Sequence, residues 1–160
     1  MQEVRENDKI KENIRFRAKE ISLMANMLEK FRNTIEILYF LMERKEERGF
    51  VVMLVSAKES ALQELLEHEK RESDILFEIE GDDSLYALIC QDTKIDGGYH
   101  FADRLLKKMT AAQFHEIYCV ELEVRSVVHK IEYIIYRIME LYLETKKSKK
   151  ENEIIFKALN

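Results

Sequence analysis

Arg71-Glu-Ser-Asp74-Ile-Leu-Phe-Glu-Ile-Glu80-Gly81-Asp82-Asp83-Ser-Leu-Tyr86-Ala-Leu-Ile-Cys90 is the stretch whose reading decides the fold. Two apolar runs flank a short acidic segment with a glycine, the pattern of two antiparallel strands, residues 74–80 and 85–91, joined by a hairpin loop. Arg71 and Asp74 stand three residues apart just before the first strand. An exposed ion pair at that spacing contributes only a few tenths of a kcal/mol (roughly 0.2–0.5).

On the N-terminal side, Phe50-Val-Val-Met-Leu-Val55 is a short apolar run rich in β-branched residues, which predicts a central strand buried on both faces. Between it and Arg71, Ser56 or Ser60 can cap a helix that runs to about Glu69 with Ala61, Leu62, Leu65 and Leu66 on its inner face. On the C-terminal side, Gly97-Gly98 predicts a break before a helix over 100–109, and Ile117 to Val124 predicts a fourth strand, alternating at its polar end. A helix is expected from Val127 to about Lys147, with Val127, Val128, Ile131, Ile134, Ile135 and Ile138 at helical spacing, and Ile154 to Phe156 can add one more strand. The order β-α-β-β-α-β is an α+β, ferredoxin-like core.

Residues 3–47 carry a heptad. Ile10, Ile14, Arg17, Ile21, Met24, Leu28, Phe31, Ile35, Leu38 and Met42 alternate in spacings of four and three, interrupted only by Arg17. This predicts a long helix that forms a coiled-coil seam or lies along a core. Leu23, Met27, Ile37, Tyr39, Phe40 and Leu41 widen the stripe toward its C-terminal half, so that half is expected to pack on the domain while the first half pairs with a second chain. The resulting division is a helical segment over 1–48, ended by a C-capping Gly49, and a globular domain over 49–160, with a homodimer expected.

With 160 residues and 46% hydrophobic content the chain can fill one core, and 36% charged residues without a proline favour long unbroken helices. A net charge of −5 gives no general electrostatic reason to bind nucleic acid. No apolar run is long enough to insert into a membrane and the N-terminus lacks the form of a signal peptide, so a cytoplasmic protein is expected. Cys90 and Cys119 lie in apolar strand-like runs and read as buried thiols. His68, His100, His115 and His129 do not cluster at ligand spacing, so no metal site and no cofactor are predicted.

Register as well as residue type makes the chain resemble the GGDEF family of bacterial diguanylate cyclases. In that family an R-x-x-D product-binding site precedes the G-G-[DE]-E-F hairpin by five residues. Here five residues separate Asp74 from Glu80-Gly81-Asp82-Asp83, Tyr86 falls where the motif has phenylalanine once Ser84 and Leu85 are counted as an insertion, and Asp92-Thr93 matches a common D-T. Ala102-Asp103-Arg104-Leu105 resembles the family's A-E-R-[IL], and the last helix carries a looser likeness over Leu141-Tyr142, Thr145-Lys146 and Lys150-Glu-Asn152.

The resemblance implies the GGDEF fold and a cyclic di-GMP site formed by Arg71, Asp74 and Arg104. Arginine offers a planar fork to phosphate or to the guanine edge, and aspartate accepts from the guanine N1 and N2 donors. The same comparison leads to the expectation that the chain is not an enzyme and has no catalytic residues. The first strand ends in Ser56-Ala57 where the family supplies a metal-binding aspartate. Glu80 replaces the first motif glycine, leaving Glu80, Gly81, Asp82 and Asp83 as a degenerate motif, and residues 56–70 have room for one helix and no Asn or Asp to read guanine. The functional expectation is therefore a catalytically inactive cyclic di-GMP effector or adaptor in bacterial signal transduction, with an unnamed protein partner. The alternative is a structural dimerisation module that binds no nucleotide.

Overall fold

A computed structural model describes residues 16–159. Ile10 and Ile14 of the heptad lie outside the described residues. Among the described residues nine elements follow in chain order: α1 (Ala18–Glu43), β1 (Phe50–Ser56), α2 (Leu62–Glu69), β2 (Asp74–Glu78), β3 (Leu85–Gln91), α3 (Ile95–Ala111), β4 (Tyr118–Val124), α4 (Ile131–Lys147) and β5 (Ile154–Leu159). The strands form one sheet in the order β2-β3-β1-β4-β5. All neighbours are antiparallel except β4 and β5, which run parallel. The first four strands with α2 and α3 are the ferredoxin-like core read from the sequence, and β5 extends it.

The central β1 is buried along its whole length because both faces of the sheet are covered. Phe50, Val52 and Leu54 face a cluster that includes residues of α1 and α4, while Val51, Met53 and Val55 face one that includes residues of α2 and α3. This explains why β1 is apolar at every position, whereas a one-sided strand would alternate.

α1 lies along the sheet of its own chain, burying Leu23, Met27, Phe31, Ile35 and Leu38. Its early heptad residue Ile21 is exposed, and Met24 and Leu28 are only partly buried. The helix ends in a Schellman motif. Lys45 adopts φ 61°, its N–H donates to the Met42 carbonyl (3.0 Å), and the Glu46 N–H donates to the Leu41 carbonyl (2.9 Å). The cap expected at Gly49 is therefore corrected to Lys45.

Gly49 meets a different demand. At φ 156° it lies so close to β4 that an added Cβ would sit 2.7 Å from the Val124 carbonyl oxygen. Gly49→Ala is expected to cost roughly 2–4 kcal/mol in urea unfolding, since neither backbone can yield cheaply. An unchanged midpoint would show that the two strand ends are loosely held.

A second correction concerns Gly97-Gly98, which lie inside α3 instead of breaking the chain before it. The Ile95 N–H donates to the buried Glu123 carboxylate (2.5 Å), satisfying one open donor of the helix N-terminus. A Cβ on Gly98 would meet Glu121 Oε2 at 2.8 Å and Val51 at 3.3 Å, so glycine lets the first turn settle against the sheet. The expected α4 start at Val127 moves to Ile131, and the hairpin's first strand ends at Glu78.

Candidate functional site

Arg71 sits in the turn between α2 and β2, and Asp74 opens β2. The Asp74 side chain is 0% exposed while that of Arg71 is 50% exposed, so the aspartate is a buried anchor for an arginine at the surface. The Arg71 backbone N–H donates to Asp74 Oδ2 (2.9 Å), Nη2 to Oδ1 (2.8 Å), and Nε to both oxygens (3.2 and 3.3 Å). Nη2 also donates to Thr93 Oγ1 (2.5 Å) and to the Gln91 carbonyl (3.3 Å) at the end of β3. The hydrogen bonds to Asp74 raise the arginine's pKa further above its ordinary value.

Arg104 reaches the same place from α3. Its guanidinium lies over the Phe101 ring at 5.1 Å, donates to the Glu69 carbonyl (3.0 Å) and pairs with Glu69 Oε1 (3.4 Å). Glu69 also binds Lys108 Nζ (2.8 Å) and His68 Nδ1 (3.0 Å), and these contacts, the lysine's first, hold its carboxyl below the usual range. A cavity of about 110 Å³ is bordered by Arg71 and Thr93 on one side and by Gly97, His100, Phe101 and Arg104 on the other.

Two of the three residues thus border one cavity, and the third, Asp74, lies outside its lining and anchors Arg71. Sequence reasoning missed Thr93 as the outer support of Arg71, although the Asp92-Thr93 pair was the available signal. Phe101 and Glu69, which orient Arg104, left no signal, because their roles depend on α2 and α3 meeting. The cavity admits one chemical group, so a larger ligand would rest on the surface with a single phosphate or base edge inserted. Cys90 and Cys119 are buried, as expected, and burial raises both thiol pKa values.

At the hairpin, Glu80, Gly81, Asp82 and Asp83 form the loop between β2 and β3, with Gly81 at φ 93°. The loop is tied to α1. Asn26 Oδ1 accepts the Glu80 N–H (2.9 Å), and Lys19 lies 4.0 Å from Asp82 Oδ2. Asp82 Oδ1 in turn accepts from the Ser84 hydroxyl (2.6 Å) and backbone N–H (3.0 Å). A second cavity, about 390 Å³, is bordered by Lys30, Ser60, Glu78, Glu80, Asp82 and Asp83. The Ser56 hydroxyl at the end of β1 accepts a hydrogen bond from Tyr142 (2.8 Å).

No protein-family model matches the sequence, and no curated protein matches it significantly. Solved structures do. The active GGEEF domain of a diguanylate cyclase from Vibrio cholerae aligns with 78% of this chain and 92% of its own at 12% identity and a TM-score of 0.60. A diguanylate cyclase/phosphodiesterase from Caldicellulosiruptor saccharolyticus aligns with 79% of this chain and 86% of its own, at 10% identity and TM-score 0.51. The diguanylate cyclase SiaD of Pseudomonas aeruginosa, solved with its activator SiaC, aligns with 98% of this chain and 77% of its own, at 13% identity and TM-score 0.56.

These neighbours correct the expectation that the chain is not an enzyme, because the fold it shares is one in which an active cyclase domain has been solved. Position by position along the motif, the hairpin's carboxylates stand apart from the cavity they line. In three dimensions Glu78, Glu80, Asp82 and Asp83 border one cavity with Lys30 and Ser60, brought from α1 and the segment before α2, without converging as metal ligands among the described residues. No helix among the described residues is long and apolar enough to cross a membrane. With its five-stranded mixed sheet and its hairpin between β2 and β3, the chain has the fold of the GGDEF cyclases.

Proposed function

We propose that this GGDEF-like chain binds cyclic di-GMP through Arg71, Asp74 and Arg104. The observation that supports this most directly is that two arginines from separate elements border the same cavity, each held in place by a carboxylate that is itself almost fully buried. Arg71, fixed by Asp74 and Thr93, presents the remaining edge of its guanidinium, and Arg104, stacked on Phe101, extends a flat cationic surface on which a guanine can lie. The ligand would thus contact Arg71 and Arg104, with Asp74 holding Arg71 in position and accepting from the guanine only if that pair opens. Glu80 to Asp83 are taken as a divergent form of the family hairpin, and ligand binding at Arg71 is a separate question from turnover at the hairpin cavity.

Calorimetric titration with cyclic di-GMP tests the proposal. Arg71→Ala is expected to weaken binding by about 1–3 kcal/mol, roughly five- to two-hundredfold. Asp74→Asn should produce a comparable loss, because it frees the guanidinium from its charged anchor. Affinity should fall as salt rises, since an anion held by arginines is screened. Absence of binding by the wild type up to about 100 μM at low salt would remove the proposal, an effector requiring a Kd well below that.

One observation favours the alternative of a protein-interaction module without a nucleotide. Arg71 and Asp74 satisfy each other and Thr93 completely enough to stand as a structural clasp joining the α2–β2 turn to the end of β3. Under that reading Arg71→Ala lowers stability and cyclic di-GMP produces no heat.

A further inference from the structure

The two edges of the sheet are built differently. At β2, Lys30 Nζ donates to the Glu78 carbonyl (2.5 Å) and Lys70 Nζ to the Asp74 carbonyl (3.1 Å), so acceptors that another strand would need are already taken. β5 has no such guard among the described residues. Its strand neighbour is β4 alone, Phe156 is 45% exposed, and Lys157 and Ala158 are exposed. A groove of about 690 Å³ lies between the start of this strand and α3, bordered by Tyr99, Leu106, Asn152 and Ile154. An open edge beside a groove is a template for a further strand.

We propose that the β5 edge pairs antiparallel with β5 of a second copy about a two-fold axis through Ile155, continuing the sheet across the dimer. Two independent features of the strand select this register. It sets Glu153 of each copy opposite Lys157 of the other, giving two cross-strand ion pairs from residues that make no ion pair inside the described chain. It also sets Phe156, whose half-exposed ring packs edge-on against Tyr99 of its own chain (5.6 Å), opposite Ile154 on the α3 side of the sheet, so each ring adds an apolar face beside the groove that Ile154 borders in the other copy. Centring on Phe156 would place Lys157 opposite Ile155 and leave both charges unmatched, and centring on Ile154 would match Lys157 with Glu151 but place Phe156 opposite Asn152 and Ile155 opposite Glu153. Facing residues on antiparallel strands interact directly, which is how such differences choose a register.

The homodimer expected from the heptad is thereby assigned to a strand edge. The apolar stripe of α1 from Leu23 to Leu38 already faces the sheet of its own chain. In this register only residues 153–157 of each copy face one another, because Asn152 at φ 62° turns the chain away, and so short a ladder buries less than a standard interface, making the dimer a weak one.

Sedimentation equilibrium of the full chain between about 10 and 500 μM, a range suited to small interfaces, tests the assignment. The wild type should move toward dimer as concentration rises. Lys157→Glu should weaken association roughly tenfold or more, because both cross-strand pairs turn repulsive, and adding Glu153→Lys should restore it. Ile155→Cys should give a covalent dimer on mild oxidation, since that position faces itself, while the wild type with its buried Cys90 and Cys119 stays uncrosslinked. A monomer throughout the range would overturn the proposal, as would a double charge variant no better than the single one. Loss of the dimer in Ile21→Glu with the β5 variants intact would return the interface to α1.

Discussion

Glu121→Gln is expected to stabilise the protein at neutral pH by about 3 kcal/mol and to flatten its pH dependence. Glu121 lies in the middle of β4 with no exposed surface, and neither carboxylate oxygen has a hydrogen-bond partner. Val51 and the first turn of α3 at Gly98 close over it. Removing the charged form from water without compensation pushes its pKa from 4.5 up to about 8.

The direction of the pH effect follows from proton counting. Between pH 4.5 and 8 the unfolded chain has released this proton while the folded chain retains it. Stability is therefore highest below the lower value, falls by about 1.4 kcal/mol per pH unit between the two, and levels off above the upper one. Glutamine carries no proton to lose and nearly the same shape, so the variant should lose this slope. Burial raises the pKa of Glu47 as well, which adds a slope of the same sign in both proteins and cancels in their difference. Urea unfolding of wild type and variant at pH 5, 6, 7 and 8 reads the effect, and identical slopes would show that Glu121 is hydrated or paired in solution. Gly98, against which Glu121 packs, is one of the residues bordering the cavity proposed to receive the ligand.

Phe31→Ala should cost about 3–5 kcal/mol while leaving the association state unchanged. Phe31 has no exposed surface, its ring lies 4.9 Å from that of Phe77 on β2, and it belongs to the same core cluster as Phe50, Leu85 and Ile89. Truncation leaves a cavity between helix and sheet that neither can close, since α1 is also held by Asn26 at the hairpin and by Tyr39, whose hydroxyl donates to the His129 carbonyl (2.6 Å). A coiled-coil role for this residue predicts the opposite pair of outcomes: a folded domain of nearly unchanged stability and a weakened dimer. Urea unfolding together with sedimentation separates the two.

Much of the architecture was legible because its determinants are local. Phe50 to Val55 could only be a strand covered on both faces, being too short and too β-branched for a helix. Ile75 to Cys90 carried its own turn at Gly81, and the alternation of strands with helical segments gave the β-α-β-β-α-β order of a ferredoxin-like core. The resemblance to the GGDEF family pointed to Arg71, Asp74 and Arg104, and the fold brings the two arginines to the border of one cavity because the α2–β2 turn and α3 are adjacent in this topology.

What the tertiary structure alone decided has one physical origin, the burial of a residue by segments distant in sequence. The heptad spacing of α1 is the same for a helix partner and for a sheet partner, yet a flat sheet selects Leu23 and Met27 where a coiled coil would select Ile21 and Met24. Gly97-Gly98 read as a break until α3 had to approach Val51 and Glu121 at Gly98 more closely than a side chain permits. Gly49 read as a cap until β4 came against it. Glu121 and Glu123 read as the polar side of β4, and only the packing of α3 turned that side into interior. Asp74, indistinguishable by spacing from an exposed partner of Arg71, became a buried anchor because β2 pairs with β3 and brings Thr93 alongside. Periodicity and turn chemistry are properties of neighbouring residues, whereas burial depends on which surfaces meet once the chain has closed on itself.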